Sequence, residues 1–188
     1  EAGTLATLHD RPHCCIALSR AARKQDLKEV STYTMNSLGD SIMDVDTAFL
    51  KWREEVTTYQ HSSENMLKGG LNLVNSANVS YFSDRQKAEV FRLKAYFLNE
   101  LRDKPKANQA YCQAVQICPN HARSWQDWGD LCVSLSDATR KKLADDKADK
   151  KDLAKKASQY LSQAAGCYLE ALRVDTSEQS RDRIPHCL

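Results

Sequence analysis

Three positions on one helix face, Phe91, Ala95 and Leu98, return as Trp125, Gly129 and Cys132 after about 34 residues, the period of a tetratricopeptide-like helical pair. A second set, Ala107, Tyr111 and Ala114, returns as Ala164, Tyr168 and Ala171, displaced by well over one such period. Each set is spaced i, i+4, i+7, so its members share one side of a helix. A small residue lets two helices approach closely, and a larger partner fills the gap beside it. A helical pair of this kind buries its apolar face only against a neighbouring repeat. The twelve residues of these sets form the expected repeat core. The pattern predicts an all-α fold, an irregular α-solenoid of tetratricopeptide-like helix-turn-helix repeats.

Composition agrees with that class. Glycine (6) and proline (4) are scarce among the 188 residues, while Ala, Leu, Lys, Gln and Glu, which lose little side-chain entropy in a helix, are common. No alternating run of β-branched and aromatic residues reads as a strand. The whole chain reads as a single helical-repeat segment, 1–188, cut from a longer polypeptide. Residues 12–80 form degenerate helical pairs: His13–Lys24 with Leu27–Leu38, then Val45–His61 with Glu64–Ser76. Residues 83–119 and 122–176 form two clearer units.

Local signals place the boundaries. Ser83-x-x-Gln86 has the form of a capping box, Asp103-Lys104-Pro105 breaks one helix and starts the next, and Pro119 stops it. Gly39 reads as a helix C-cap, and Thr176-x-x-Gln179 as another capping box. Gly69-Gly70 marks a close crossing or a kink. Tyr81 and Phe82 are expected to plug the joint between units. The excess of the second displacement over one period falls in Asp137–Lys156, a run of Asp, Lys and Ala. It reads as an exposed loop or a helical extension with little to bury. Its basic side chains, Lys141 and Lys142 through Lys155 and Lys156, suit an acidic partner.

No constellation for catalysis stands out. Phosphate-binding glycine loops, H-E-x-x-H and G-x-S-x-G are absent. His13-Cys14-Cys15 and His186-Cys187 lack a second ligand pair at zinc spacing. His121 reads as a turn residue, and Trp125 and Trp128 as core aromatics, with Trp128 the one more open to a ligand role. The seven cysteines are an odd number without a C-x-x-C pair and read as reduced, mostly buried thiols. No catalytic, cofactor-binding or metal-ligating residue is assigned. A net charge of +2 argues for neither nucleic acid nor membrane contact, and no apolar run reaches the ~20 residues of a membrane span.

Several stretches carry a resemblance. Leu71-Asn72-Leu73-Val74-Asn75-Ser76-Ala77-Asn78-Val79-Ser80-Tyr81-Phe82, then Ala88–Leu98, Lys106–Tyr111, Trp125-Gln126-Asp127-Trp128-Gly129-Asp130 and Ala164–Leu172, look like the FAT region of the transformation/transcription domain-associated protein family. The resemblance is good from Leu71 onward and looser over Pro12–Tyr59. It implies a very large nuclear scaffold related to phosphatidylinositol-3-kinase-related kinases but lacking kinase activity. The implied partners are other segments of the same chain, subunits of histone acetyltransferase complexes and transcription activators. Two other readings stay open: the equivalent segment of an active kinase, clamping its catalytic domain, or a stand-alone peptide-binding adaptor. The adaptor needs a basic clamp, for which Arg92 and Lys94 are the candidates.

Overall fold

A computed structural model of the chain describes residues 2–38, 44–60, 63–145 and 150–174, with side chains described from residue 12 onward except 144 and 145. Among the described residues there are eight helices and no strand: α1 (Ala2–Lys24), α2 (Lys28–Asn36), α3 (Val45–Thr58), α4 (Glu64–Asn75), α5 (Asp84–Glu100), α6 (Lys104–Ile117), α7 (Ala122–Asp145) and α8 (Lys150–Val174). The chain is all-α, of the helical-repeat class. It divides into two compact units, Glu1–Phe82 and Ser83–Leu188. The sites proposed for the Gly39 cap and the Thr176 capping box lie outside the described residues.

In the first unit, α1 runs through Pro12 rather than starting after it. It packs antiparallel on α2 through Ile16, Ser19 and Ala22 on one side and Ser31, Met35 and Leu38 on the other, all buried. The Ser19 and Ser31 hydroxyls lie 2.8 Å apart and satisfy one another inside this contact. Asp26 takes a left-handed conformation (φ 58°), and Leu27 N–H donates to the Ala22 carbonyl at 2.9 Å. That is the Schellman way of ending a helix, here without glycine.

The Asp44 carboxylate caps α3 by accepting from Thr47 N–H and the Thr47 hydroxyl. α3 buries Phe49 and Val56. Gly69 passes within contact of the Tyr59 ring, where an added methyl group would meet Cε1 at 3.2 Å. The paired glycines therefore mark a close approach, and α4 continues through them. Phe82 stacks edge-on against Phe49, but Tyr81 is exposed and plugs nothing among the described residues. Its hydroxyl and ring remain open to water.

In the second unit the capping box at Ser83 and Gln86 forms as the spacing requires, and Asp103 caps α6 with Pro105 in its first turn. Arg102 is left-handed (φ 66°), and Asp103 N–H donates to the Leu98 carbonyl at 2.9 Å. Consecutive helices pack on consecutive neighbours, and α5 also touches α7. Within the run Asp137–Lys156 the described residues are helical extensions: α7 continues to Asp145 and α8 begins at Lys150, while residues 146–149 lie outside the described residues. Ser136 Oγ donates to the Ala157 carbonyl at 3.0 Å and sets the register between them.

Candidate functional site

The twelve expected core residues separate into two groups. Ala95, Leu98, Ala107, Tyr111, Ala114, Cys132, Ala164, Tyr168 and Ala171 are each at most 7% exposed, and Gly129 is buried with them. Phe91 and Trp125 are only half-buried, a correction to their place in the core. The helix face pointing inward is rotated toward Arg92 and Leu93 in α5 and toward Ser124 and Leu131 in α7. The spacing marks a stripe, but a stripe has edges, and both aromatics fall on one.

Gly129 and Tyr168 meet directly. A Cβ on Gly129 would lie 2.7 Å from Tyr168 Cε1 and 2.9 Å from Cζ, so only glycine admits the ring. The Tyr168 hydroxyl donates to Asp130 at 2.6 Å. Cys132, Ala164 and Tyr168 form a buried cluster with Trp128 packed against it. The Trp128 indole donates to Asn108 Oδ1 at 2.8 Å and stacks on Trp125, whose own indole donates to the Pro119 carbonyl. Both indole N–H groups are thus engaged in joining α7 to α6 and its following turn, which accounts for the pair as structure.

The polar heart of the second unit joins α5 to α7. Arg92, buried, grips Glu89 through Nε (2.6 Å) and Nη2 (2.9 Å) and donates through Nη1 to Asp127 at 2.6 Å. Burial pushes the Glu89 carboxyl up, but the Arg92 guanidinium outweighs it and holds the carboxyl below its ordinary value. Beside them, His121 Nε2 lies 3.6 Å from Glu89 Oε2 and Nδ1 lies 2.7 Å from Ser124 Oγ. Burial depresses the imidazole's proton affinity, with Glu89 opposing. Glu89, His121 and Ser124 have the composition of an acid–base–nucleophile triad. The serine is fully buried and the carboxylate is saturated by arginine, so the array serves packing rather than acyl transfer.

The same geometry decides the adaptor question for Arg92. A clamp needs an accessible cation, whereas this guanidinium is buried and bonded to two carboxylates. In the first unit Glu54, 2% exposed, is held by Arg20 Nε at 3.3 Å and Arg23 Nε at 2.6 Å, tying α3 to α1. A polar hollow of about 510 Å³ nearby includes Arg23, Lys28, Thr57 and Met66 in its wall. Its two cations are already paired, Arg23 with Glu54 and Lys28 with Asp26. Among the described residues no group of three His, Cys, Asp or Glu side chains gathers to hold a metal, and no helix is long and apolar enough to cross a membrane.

Neither ion cluster stands out in the sequence pattern. A signal did exist: Glu89 and Arg92 stand one helical turn apart, and Arg92 and Asp127 are separated by close to one repeat period. Burial of charges on an otherwise apolar stripe is not visible in residue types alone.

Comparison with known proteins completes the picture. The FAT domain profile matches residues 5–188. The SAGA complex/NuA4 acetyltransferase complex subunit TRA1 of Saccharomyces cerevisiae is 38% identical over 125 residues, 66% of this chain and 3% of its own length. The transformation/transcription domain-associated protein of Mus musculus is 27% identical over 180 residues, 93% of this chain and 6% of its own. Transcription-associated protein 1 of Drosophila melanogaster is 26% identical over 195 residues, 100% of this chain and 5% of its own. The chain thus spans only a few per cent of these relatives. On these matches, and on a fold of stacked helical pairs, the chain belongs to the FAT domain family, as a segment related to transcription-associated proteins of the TRA1 type.

Proposed function

We propose that this chain is a non-catalytic scaffold segment of a large nuclear transcription coactivator. It helps assemble a histone acetyltransferase complex and receive transcription activators by protein–protein contact. Its partners are then other segments of the parent chain and subunits of the complex, with no direct nucleic-acid or membrane contact. The observation that carries the reading is the fate of the chemically capable side chains. Arg92, Glu89, His121 and Ser124 are all buried and tied to one another, so the chain's polar groups are spent on joining helices, which is what a scaffold needs. The twelve repeat-core residues serve that joining, Phe91 and Trp125 from the edge of the stripe. The names of the relatives, one of them a SAGA and NuA4 acetyltransferase complex subunit, suggest the kind of assembly.

The test is to replace residues 83–174 in the full parent protein with a flexible linker and purify it through a tag. Loss of acetyltransferase subunits from the purified complex, with the parent still expressed at full length, is the expected result. Full retention of those subunits would sink the proposal.

A further inference from the structure

The seam between α7 and α8 is lined with small buried residues: Gly129, Cys132 and Ser136 from one helix, Ala157, Ala164 and Cys167 from the other. Small side chains bring the two backbones close enough for Ser136 Oγ to reach a main-chain carbonyl of α8. Within that seam Cys132 packs with Ala164 and Tyr168, which lie on either side of Cys167 in sequence. Both cysteines are free and buried, and the Cys167 thiol donates a hydrogen bond to the Cys132 sulfur. Helix geometry explains the meeting. Each Cα–Cβ bond tilts toward the N-terminus of its own helix, and in this antiparallel pair the two tilts carry the sulfurs together.

Packing by itself does not ask for sulfur here. Leu98 holds the place that matches Cys132, and Ala110 the place that matches Cys167, three residues past the matched alanines Ala107 and Ala164. Both are buried, so the α5–α6 hairpin closes the same seam with a leucine and an alanine. A buried cysteine ordinarily serves as a small hydrophobe. Two that touch across a helix seam also meet the need of a disulfide for closely approaching backbones. The shared hydrogen bond makes the two thiols unequal: it holds Cys132 below its ordinary thiol value and pushes Cys167 up. Cys132 is thereby the nucleophile, and Cys167 keeps its proton.

We infer that Cys132 and Cys167 are a redox-sensitive pair that closes, under a peroxide oxidant, to a disulfide stapling α7 to α8. The Cys132 thiolate attacks one oxygen of hydrogen peroxide. An S–O bond forms, the O–O bond breaks, and the departing hydroxide takes up the proton that Cys132 released. The Cys167 sulfur then attacks the sulfenic acid on Cys132. The S–S bond forms, the S–O bond breaks, and the departing oxygen leaves as water with the Cys167 proton. Two thiols lose two electrons in all, and one peroxide becomes two waters. Peroxide is little larger than water and enters when the hairpin opens locally. The closed bond is buried, so a reducing thiol reaches it only through the same opening. The staple forms whether or not the chain serves as a scaffold.

The test is peroxide treatment of the folded 188-residue chain, followed by tryptic mapping. Trypsin releases residues 124–140 and 157–173, each with one cysteine. The expected product is these two peptides linked, lighter by two hydrogens than their sum, and separated again by dithiothreitol. Oxidation should also raise the thermal midpoint by about 6–12 °C, because the staple closes a loop in the unfolded chain. Cys167→Ala should abolish both the linked peptides and the rise, whereas Cys112→Ala should keep both, with circular dichroism confirming that each variant is helical. Should Cys167→Ala fail to fold, the map of the unsubstituted chain still decides. Cys132 and Cys167 remaining reduced at a dose that oxidises the exposed Cys14 would overturn the inference. So would their linkage with a lowered midpoint, which would mean that the seam must distort to close, or loss of the rise in Cys112→Ala, which would assign it to another pair.

Discussion

The α1–α2 and α5–α6 hairpins are one backbone written in two alphabets. A single constant shift in numbering lays Ala22, Asp26 and Leu27 on Leu98, Arg102 and Asp103, and the turn hydrogen bonds coincide: 27 to 22 and 103 to 98, 26 to 23 and 102 to 99. The left-handed residue is Asp26 in one and Arg102 in the other. The buried positions coincide too. Ser19 and Ser31 stand where Ala95 and Ala107 stand, and Met35 where Tyr111 stands. On the outside the alphabets part. Leu18, Leu27, Val30 and Tyr33, all exposed, take the places of Lys94, Asp103, Lys106 and Gln109. Close helix approach thus demands small side chains, not apolar ones. Two serines serve as well as two alanines when each hydroxyl satisfies the other.

The units also use opposite ion clusters for one task, linking alternate helices. In the first, two half-exposed arginines hold one buried carboxylate; in the second, one buried arginine holds two carboxylates. That asymmetry yields the largest expected difference. Arg92→Met should cost about 3–5 kcal/mol, because Glu89 is left buried without its cation. Glu54→Gln should cost about 1–3 kcal/mol, since Arg20 and Arg23 can turn toward water. Urea denaturation followed by circular dichroism measures both, and equal losses would erase the distinction.

Next in size is the third hairpin, α7–α8, where glycine replaces alanine or serine at the crossing. Gly129→Ala forces a methyl group into the Tyr168 ring and should cost about 1–3 kcal/mol by overpacking. The change Ala95→Gly at the matching place in α5 should cost about 1 kcal/mol, chiefly through helix propensity. A neutral Gly129→Ala would show that the ring can move aside.

The serine pair offers a sharper comparison. Ser19→Ala alone should destabilise by about 1–3 kcal/mol, by stranding the Ser31 hydroxyl. Ser19→Ala/Ser31→Ala should recover most of that loss, because it rewrites the first hairpin as the second. A double-mutant cycle reads the coupling; purely additive losses would count against the equivalence of the two contacts.

The smallest effect is pH dependence, expected chiefly of the second unit. His121 has a folded-state proton affinity depressed by burial, so the unfolded chain binds the proton first. Stability is then present above the ordinary imidazole value of 6.5 and falls as pH drops through it. Glu89, whose carboxyl is held below its ordinary value of 4.5, adds a further loss at lower pH as it protonates. His121→Asn should flatten the first of these declines in denaturation midpoints taken across pH; an unchanged slope would assign it to other groups.

Much of this was legible in the residues, for identifiable reasons. Helix starts at Ser83 and Asp103 follow from local capping chemistry, and the small–aromatic sets follow from helical period, because both are short-range rules. The Gly129–Tyr168 encounter was legible as a registry, not as a contact. Phe91 and Trp125 lie at the edge of the core, because a stripe's period does not say which edge turns inward. The serine pair left almost no trace in the pattern and the Arg92 cluster only its spacing, since polar residues on a buried face look like interruptions until their partners are known.

By itself, then, the sequence determined that this chain is helical, where most helices begin, and that its pairs repeat with small residues at the crossings. Those outcomes depend on backbone geometry and on neighbours one helical turn away. Tertiary structure alone decided which polar groups went inside and with which distant partner: Ser19 with Ser31, Glu54 with Arg20 and Arg23, Arg92 with Asp127. A buried charge is stable only beside its counter-charge, and the counter-charges here lie as far apart along the chain as Arg92 and Asp127. Their meeting is a property of the packed helices, not of any local run of sequence.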